Sequence, residues 1–281
     1  MLRQRIITAL LMLAILVPAV FYRDPVAFIL VTLVLISAGA WEWARLNQIG
    51  ETPARWIGVF CAVACYLTWA AGRVDDQFVV MWTTLGAAWV LMSVWLLSKG
   101  VPAWNQLHRS IRLSGGLIAL WAAWLAVVQA RKMGINFLFS VLFLVWAADV
   151  FAYFFGRAFG SRLFKRKLAP TISPGKTWEG ALGGLLGVVL IALLWCWADR
   201  TFAVDSLSLY SRLLSKGGVV FLVAVVFLTA MSVVGDLAES LFKRSAGVKD
   251  SSGLLPGHGG VLDRVDALLP VLPLAMMLTS I

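Results

Sequence analysis

The chain has 281 residues, of which 61% are hydrophobic and only 14% are charged, with a net charge of +10 and a mean hydropathy of +0.88. A soluble domain is typically about half apolar and about a quarter charged, so this composition excludes an ordinary soluble fold. Long apolar runs recur along the sequence, whereas a membrane β-barrel would show short alternating segments. The sequence therefore predicts an all-α, polytopic membrane helical bundle that forms a single membrane domain over residues 1–281.

A membrane-spanning helix needs about 20 consecutive, mainly apolar residues. The N-terminal run resembles a signal peptide but lacks a small-x-small cleavage site, so we expect it to be retained as the first helix. The last candidate span carries two acidic residues at its start. About nine segments qualify by length: near 6–22, 26–46, 56–72, 78–97, 113–130, 135–156, 178–198, 217–235 and 261–281.

The distribution of Lys and Arg predicts the orientation of these spans. With the N-terminus in the cytoplasm, 17 of the 24 Lys and Arg residues fall on the cytoplasmic side, as the positive-inside rule requires. This excess and the attraction to anionic headgroups account for the net charge, so we expect no nucleic-acid partner. The same orientation puts two polar runs, 157–179 and 236–266, on the cytoplasmic side.

The run 236–266 contains five of the fourteen acidic residues. If the preceding apolar helix continues, Asp236, Glu239 and Lys243 lie on one helix face, with Ser240 between them. The segment 256–260 contains one proline and three glycines, so it must turn rather than continue a helix. A tight turn would bring the two ends of the run together.

Three carboxylates at the membrane boundary predict a metal site. Asp236 ends one apolar run, and Asp263 and Asp266 lie three residues apart at the start of another. Facing carboxylates repel each other unless a cation lies between them. Mg²⁺ suits them because it prefers oxygen ligands and usually takes one or two carboxylates together with phosphates and water. Zinc is disfavoured, since the run has one histidine and no cysteine.

The same run carries residues that suit phosphate binding. Cations pair with phosphate oxygens, and glycines let backbone N–H groups approach them. The alternative is a solvated loop whose charges only obey the positive-inside rule. The candidates are Lys243, Arg244, Lys249, Arg264, Gly257, His258, Gly259 and Gly260.

A second candidate site is the run 173–180, Ser-Pro-Gly-Lys-Thr-Trp-Glu-Gly. Its Gly-Lys-Thr matches part of a P-loop, but Pro170 stands where the P-loop pattern needs glycine, so we reject a nucleotide-binding P-loop. We expect Ser173 to cap the next helix and Lys176 to form an anion site at its N-terminus. The alternative is a plain helix cap with a lysine near the membrane. The glycines that follow, at 180, 183, 184 and 187, predict close helix packing.

A third candidate is Asp149, which lies within an apolar span one helical turn before Tyr153. An acid inside a membrane span is costly and is usually functional. The alternative is a structural ion pair with a neighbouring helix.

The run that ends at Asp266 resembles the signature of phosphatidate cytidylyltransferases, the CDP-diacylglycerol synthases. Segments 149–156 and 173–180 also resemble this family, whereas residues 1–130 match only as generic membrane helices. The matching signature residues are Ser240, Phe242, Lys243, Arg244, Lys249, Asp250, Ser252, Leu255, Pro256, His258, Gly259, Gly260, Val261, Asp263, Arg264, Val265 and Asp266.

The resemblance implies a Mg²⁺-dependent transfer of CMP from CTP to phosphatidic acid, which yields CDP-diacylglycerol and pyrophosphate. It implies catalytic roles for Asp236, Lys243, Arg244, Asp263 and Asp266, with the three aspartates as metal ligands. It leaves open a K⁺ ion beside the Mg²⁺ and a homodimer. The implied substrate-binding residues are Asp149, Tyr153, Ser173, Lys176, Thr177, Glu179, Lys249, His258, Gly259, Gly260 and Arg264.

These expectations place residues 131–281 at the catalytic centre and residues 1–130 as a scaffold facing the lipid. The protein would lie in the bacterial inner membrane, with its site on the cytoplasmic side. Two other functions remain open. A CTP-dependent polyprenol kinase would need a general base for its alcohol, and a transporter would be expected to show a pair of matching broken helices, which the sequence lacks.

Overall fold

The computed structural model describes residues 2–281, and this part of the chain contains helices and loops with only isolated β-bridges. The short connection Arg73–Asp75 is a single 3₁₀ turn. The helices are α1 Leu2–Phe21, α2 Val26–Leu46, α3 Glu51–Ala70, α4 Val79–Gln106, α5 Arg109–Met133, α6 Ile135–Phe159, α7 Trp178–Thr201, α8 Leu209–Ser215, α9 Gly218–Ser245, α10 Leu262–Val265 and α11 Leu268–Ser280.

Seven helices within residues 2–281 are long and apolar enough to cross a membrane: α1, α2, α4, α5, α6, α7 and α9. The prediction of a polytopic helical membrane protein is therefore confirmed, whereas the count of nine spans and the orientation stay predictions. The predicted span 261–281 is broken into α10 and α11. Helix α11 has 13 residues, a length of about 20 Å against a hydrocarbon core of about 30 Å.

Helix α4 is interrupted at Gly100, whose φ of 71° and ψ of −165° are not helical. This backbone conformation favours glycine because it has no Cβ. Pro102 follows two residues later inside the same element. The predicted span 78–97 ends just before this break, and α4 continues beyond it to Gln106.

Helices α6 and α7 pack closely through a face of small residues. Gly183 and Gly187 lie against the rings of Phe155 and Phe151, and a Cβ on Gly184 would lie 2.8 Å from the carbonyl oxygen of Ala148. The glycines therefore let the helix backbones approach each other, as the small-xxx-small pattern predicts.

The ends of α2, α4 and α9 meet in an aromatic cluster. The ring of Phe242 on α9 lies 5.1 Å from that of Trp43 and 4.3 Å from that of Trp104. Helix α10 also contacts α2. The N-terminal helices therefore support the end of α9 that carries Lys243.

The α6–α7 packing predicts a large difference between two glycine-to-leucine variants. Gly184→Leu has no room and should lower the thermal midpoint by on the order of 5 °C, the result of overpacking by about 1–3 kcal/mol. Gly115→Leu is the matched control, because a Cβ at this position would meet no atom of the described chain within 4 Å beyond its own stretch of helix. Thermal unfolding of both variants in detergent measures the difference. Equal midpoints would contradict the close packing.

Candidate active site

A polar cavity of about 350 Å³ lies at the end of α9 where the C-terminal loop folds back. Helix α6 contributes one acid, α9 contributes a stripe of residues, and the loop and α10 supply the rest. The lining residues are Asp149, Asp236, Ser240, Lys243, Arg244, Lys249, Asp250, Asp263, Arg264 and Asp266. The structure thus brings together both ends of the run 236–266 and adds Asp149, as the sequence predicts.

The polar stripe on α9 forms as its helical spacing predicts. The Ser240 hydroxyl donates to Asp236 Oδ1 at 3.3 Å. Lys243 forms an ion pair with Glu239 one turn earlier and donates to Asp263 Oδ1 at 2.5 Å. Lys243 therefore joins α9 to α10.

The predicted turn within 256–260 is present. Gly257 and Gly259 have φ values of 77° and 80°, and Leu255 N–H donates to the carbonyl of Gly259 at 2.8 Å. The guanidinium of Arg264 donates two hydrogen bonds, of 3.1 and 2.7 Å, to the carbonyl of His258. Arg264 lines the cavity and also fastens this turn.

Both carboxylate oxygens of Asp263 are occupied by protein donors. Oδ2 accepts from the Ser251 N–H and hydroxyl, both at 2.9 Å, and from Gly260 N–H at 2.8 Å. Burial raises the pKa of Asp263, but Lys243 and the N–H groups of Gly260 and Ser251 outweigh it and lower the pKa to about 2. Asp263 is therefore ionised and holds the loop against α9.

Asp236 and Asp266 have fewer protein donors, and Asp149 has no ion-pair partner among residues 2–281. Asp236 Oδ2 lies 2.6 Å from the ammonium of Lys176, and Asp266 Oδ1 accepts from Ala267 N–H at 2.8 Å. Burial, followed by the nearby Asp236 and Asp149 carboxylates, raises the pKa of Asp266 to about 7. This part of the cavity carries an excess of negative charge. The alternative of a structural ion pair for Asp149 has no partner within 4 Å in the described chain, and the role of Asp149 stays a prediction.

These carboxylates fit a magnesium ion only together with other ligands. No three Asp, Glu, His or Cys side chains within the described residues form a metal-holding group by themselves. Mg²⁺ does not need such a cage, because it usually binds one or two carboxylates and completes its shell with phosphates and water. The donor set of Asp236 and Asp266 fits this pattern.

The run 173–180 reaches the cavity through Lys176. Helix α7 begins at Trp178, and its N-cap is Thr177, whose hydroxyl accepts from Gly180 N–H at 3.1 Å. The expectation that Ser173 caps this helix is therefore wrong. Ser173 lies four residues before the cap, in a turn where its N–H donates to the carbonyl of Ala169.

Three of the eleven predicted substrate-binding residues, Asp149, Lys249 and Arg264, line the cavity, and the other eight lie outside its lining, Glu179 and Tyr153 among them. Glu179 is buried, and its Oε1 accepts from the N–H groups of Leu163 and Phe164 at 3.0 and 2.9 Å. Tyr153 is exposed, and its hydroxyl accepts from Arg157 at 3.1 Å. Glu179 orders the loop before α7, and the substrate-binding roles of both residues stay predictions.

Glu42 on α2 is a site residue that the sequence reasoning missed. Its carboxylate is fully buried. Oε1 accepts from the Ser252 hydroxyl at 2.6 Å and from Val261 N–H at 2.9 Å, and Oε2 accepts from Leu262 N–H at 2.8 Å. The Ser251 hydroxyl lies 3.1 Å from Oε2 and shares its single proton between Glu42 and Asp263. The rule that acids within apolar spans are functional, applied to Asp149, could also have found Glu42.

A helical membrane bundle with carboxylates and cations around one cavity is the architecture of an enzyme that handles phosphates beside a bilayer. The family model described as the cytidylyltransferase family matches residues 3–281. The chain belongs to the cytidylyltransferase family.

Named relatives share almost the full length of the chain. A phosphatidate cytidylyltransferase of Pseudomonas aeruginosa is 41% identical over 280 residues, which cover 97% of this chain and 95% of the relative. One of Haemophilus influenzae is 36% identical, with 97% of this chain and 96% of the relative covered. One of Brucella abortus is 33% identical, with 100% of this chain and 94% of the relative covered.

The hydrogen bonds to Glu42 predict the behaviour of Glu42→Gln. The glutamine side chain is uncharged, and its NH₂ group would face N–H and O–H groups that can only donate to an acceptor. Each hydrogen bond to a charged group is worth about 1.5–3 kcal/mol, so the substitution removes part of the energy that holds the loop. Hydrogen exchange of the Val261 and Leu262 amides should accelerate about tenfold or more, since about 1.4 kcal/mol is a factor of ten. Glu51→Gln, which alters an exposed acid paired with Arg45 and Arg55, is the control. Unchanged exchange in Glu42→Gln would contradict the role of Glu42.

Proposed function

We propose that the protein is a phosphatidate cytidylyltransferase, which transfers CMP from CTP to phosphatidic acid and releases pyrophosphate. The observation that carries this proposal is the polar cavity, where the signature cations and carboxylates meet beside membrane helices. The names of the relatives supply the reaction, and they match this chain over nearly its whole length.

The reaction needs charge neutralisation more than proton transfer. A phosphate oxygen of phosphatidic acid attacks the α-phosphorus of CTP, a new P–O bond forms, and the bond to the β-phosphate breaks with pyrophosphate as the leaving group. The attacking oxygen is already an anion near neutral pH, so no general base is required. The barrier is repulsion between two polyanions, which positioned cations reduce.

The cavity supplies these cations from two elements. Arg244 and Lys249 are exposed on its rim and are free to meet the phosphates of CTP. Lys243 is held by Glu239 and Asp263, so its position is fixed before substrate arrives. His258 and the glycines beside it form the turn at the same end, and we assign them phosphate contacts.

We assign the magnesium ion to Asp236 and Asp266, with Asp149 near them. Asp263, which the sequence pattern also predicts as a ligand, contributes by holding Lys243 and the loop, because donors already occupy both of its oxygens. When bound, Mg²⁺ would neutralise charge on the reacting phosphates. Lys176 forms an ion pair with Asp236, and we assign its ammonium a contact with a substrate phosphate in the cavity. A K⁺ ion beside the Mg²⁺ and a homodimer stay predictions.

The location follows from the charge distribution and the reaction. The protein would lie in the bacterial inner membrane, with its N-terminus and the cavity on the cytoplasmic side, where the excess of Lys and Arg falls. CTP is a cytoplasmic nucleotide, and phosphatidic acid stays in the bilayer. A site at the cytoplasmic face reaches both substrates.

The activity is tested with the purified protein, labelled CTP, Mg²⁺ and phosphatidic acid in mixed micelles. We expect a labelled CDP-lipid and one pyrophosphate for each. Asp236→Asn and Asp266→Asn should lower turnover by about 100-fold or more, since a bound metal contributes several kcal/mol to such a transition state.

The control is Asp24→Asn, which changes an exposed acid in the loop between α1 and α2 that does not line the cavity. Release of CDP with a polyprenol, and not of pyrophosphate, would show the kinase alternative. Near-normal turnover of both cavity variants would refute the metal assignment and leave the proposed reaction intact.

The orientation is tested with single added cysteines, because the native Cys61, Cys65 and Cys196 are all buried. Gly253→Cys lies in the exposed loop beside the cavity, and Gly218→Cys lies at the other end of α9. An impermeant thiol reagent should label Gly218→Cys in intact spheroplasts and Gly253→Cys only after lysis. The reverse pattern would place the cavity on the outer face.

A further inference from the structure

A second cavity, of about 360 Å³, lies between α4, α5 and α9 and is almost entirely apolar. Its volume falls in the range of about 300–1,000 Å³ that is typical of ligand pockets. Small residues create the space: Ala88 on α4 and Gly115 and Ala119 on α5 line it. The cavity is distinct from the polar cavity, and the two share no lining residue.

The apolar cavity opens toward the surface that faces the bilayer. Three of its lining side chains, Met92, Ile111 and Ile118, are also exposed on the outside of the bundle. Lipid chains can therefore reach it sideways from the membrane. An acyl chain that enters from the bilayer does not leave water, so the cavity acts by fixing where the chain lies and not by a hydrophobic gain.

Only one ion pair and one turn of helix separate the two cavities. Glu239 lines the apolar cavity, and Lys243, its ion-pair partner, lines the polar one. On α10, Leu262 lines the apolar cavity and the next residue, Asp263, lines the polar one. A lipid whose chain fills the first cavity would thus have its glycerol end beside the second.

A cation lies at the end of the apolar cavity. Arg112 lines it, with its guanidinium 5.9 Å from the ring centroid of Trp104. The ring of Trp104 is 4.3 Å from that of Phe242, the residue before Lys243. Arg112 Nε is buried, and within residues 2–281 no atom accepts a hydrogen bond from it. A buried donor of this kind calls for an acceptor that the chain does not supply.

We propose that this cavity holds one acyl chain of the phosphatidic acid substrate, with Arg112 donating to an ester or phosphate oxygen at its glycerol end. The inference rests on the proposed function, since it assigns a place to one part of that substrate. Holding one chain fixes the distance from the lipid phosphate to the polar cavity. Such positioning lowers the entropic cost of the reaction.

The test places a larger side chain in the apolar cavity and compares phosphatidic acids that have long or short acyl chains. Gly115→Leu adds a side chain at a position with open space in the described chain, so the fold should tolerate it. In mixed micelles, its KM for phosphatidic acid with two 18-carbon chains should rise about tenfold, because the leucine takes the space that the acyl chain would fill. The KM for phosphatidic acid with two short, six-carbon chains and the KM for CTP should stay unchanged.

Two further variants complete the experiment. Gly218→Leu makes the same exchange outside the cavity and should leave all three KM values unchanged. Arg112→Gln should raise the KM for both lipids, because both carry the ester and phosphate oxygens, and Arg112→Lys should restore part of the loss.

Several results would overturn the proposal. Equal effects of Gly115→Leu on both lipids, or no effect on either, would show that the substrate chain does not enter. A changed oligomeric state of Gly115→Leu without a change in lipid KM would show that a second copy covers the cavity. Absence of CDP-lipid from the unaltered protein would instead refute the proposed function itself.

Discussion

The ammonium of Lys243 holds the site together, because it neutralises Glu239 on its own helix and Asp263 on the returning segment. A charge placed among membrane helices is costly unless it is paired. Each of these three groups therefore needs the others, and the pairing fixes where α9 and α10 meet. Asp236 and Asp266 then flank the same cavity with fewer protein donors, which leaves oxygens available to a cation.

The loop between α9 and α10 is held by two carboxylates from opposite sides. Glu42 accepts from its serines and from the start of α10, and Asp263 accepts from Ser251 and Gly260. The Ser251 hydroxyl lies between both acids. A cytidylyltransferase site of this kind is thus not confined to the half of the chain that carries its signature, since α2 supplies one of its two anchors.

The sequence predicted those structural features that depend on the spacing of residues within one segment. The stripe on α9, the glycine turn and the small face between α6 and α7 follow from helical periodicity and from glycine geometry. The place of Glu42 in an apolar span could have marked it as a candidate, but its partners lie more than two hundred residues away, so no local pattern predicts those contacts. The cap at Thr177 and the break between α10 and α11 depend on where a helix starts, which sequence periodicity defines poorly.

The glycine face between α6 and α7 has a mechanical consequence. A Cβ on Gly180 would lie 2.9 Å from the Ala152 carbonyl, so the two backbones are nearly in contact and leave little room for sliding. Asp149 belongs to α6, and Lys176 directly precedes the cap of α7. These two groups therefore belong to one rigid pair of helices. A nucleotide that binds in the cavity therefore meets Asp149 and Lys176 at a spacing that the α6–α7 packing sets.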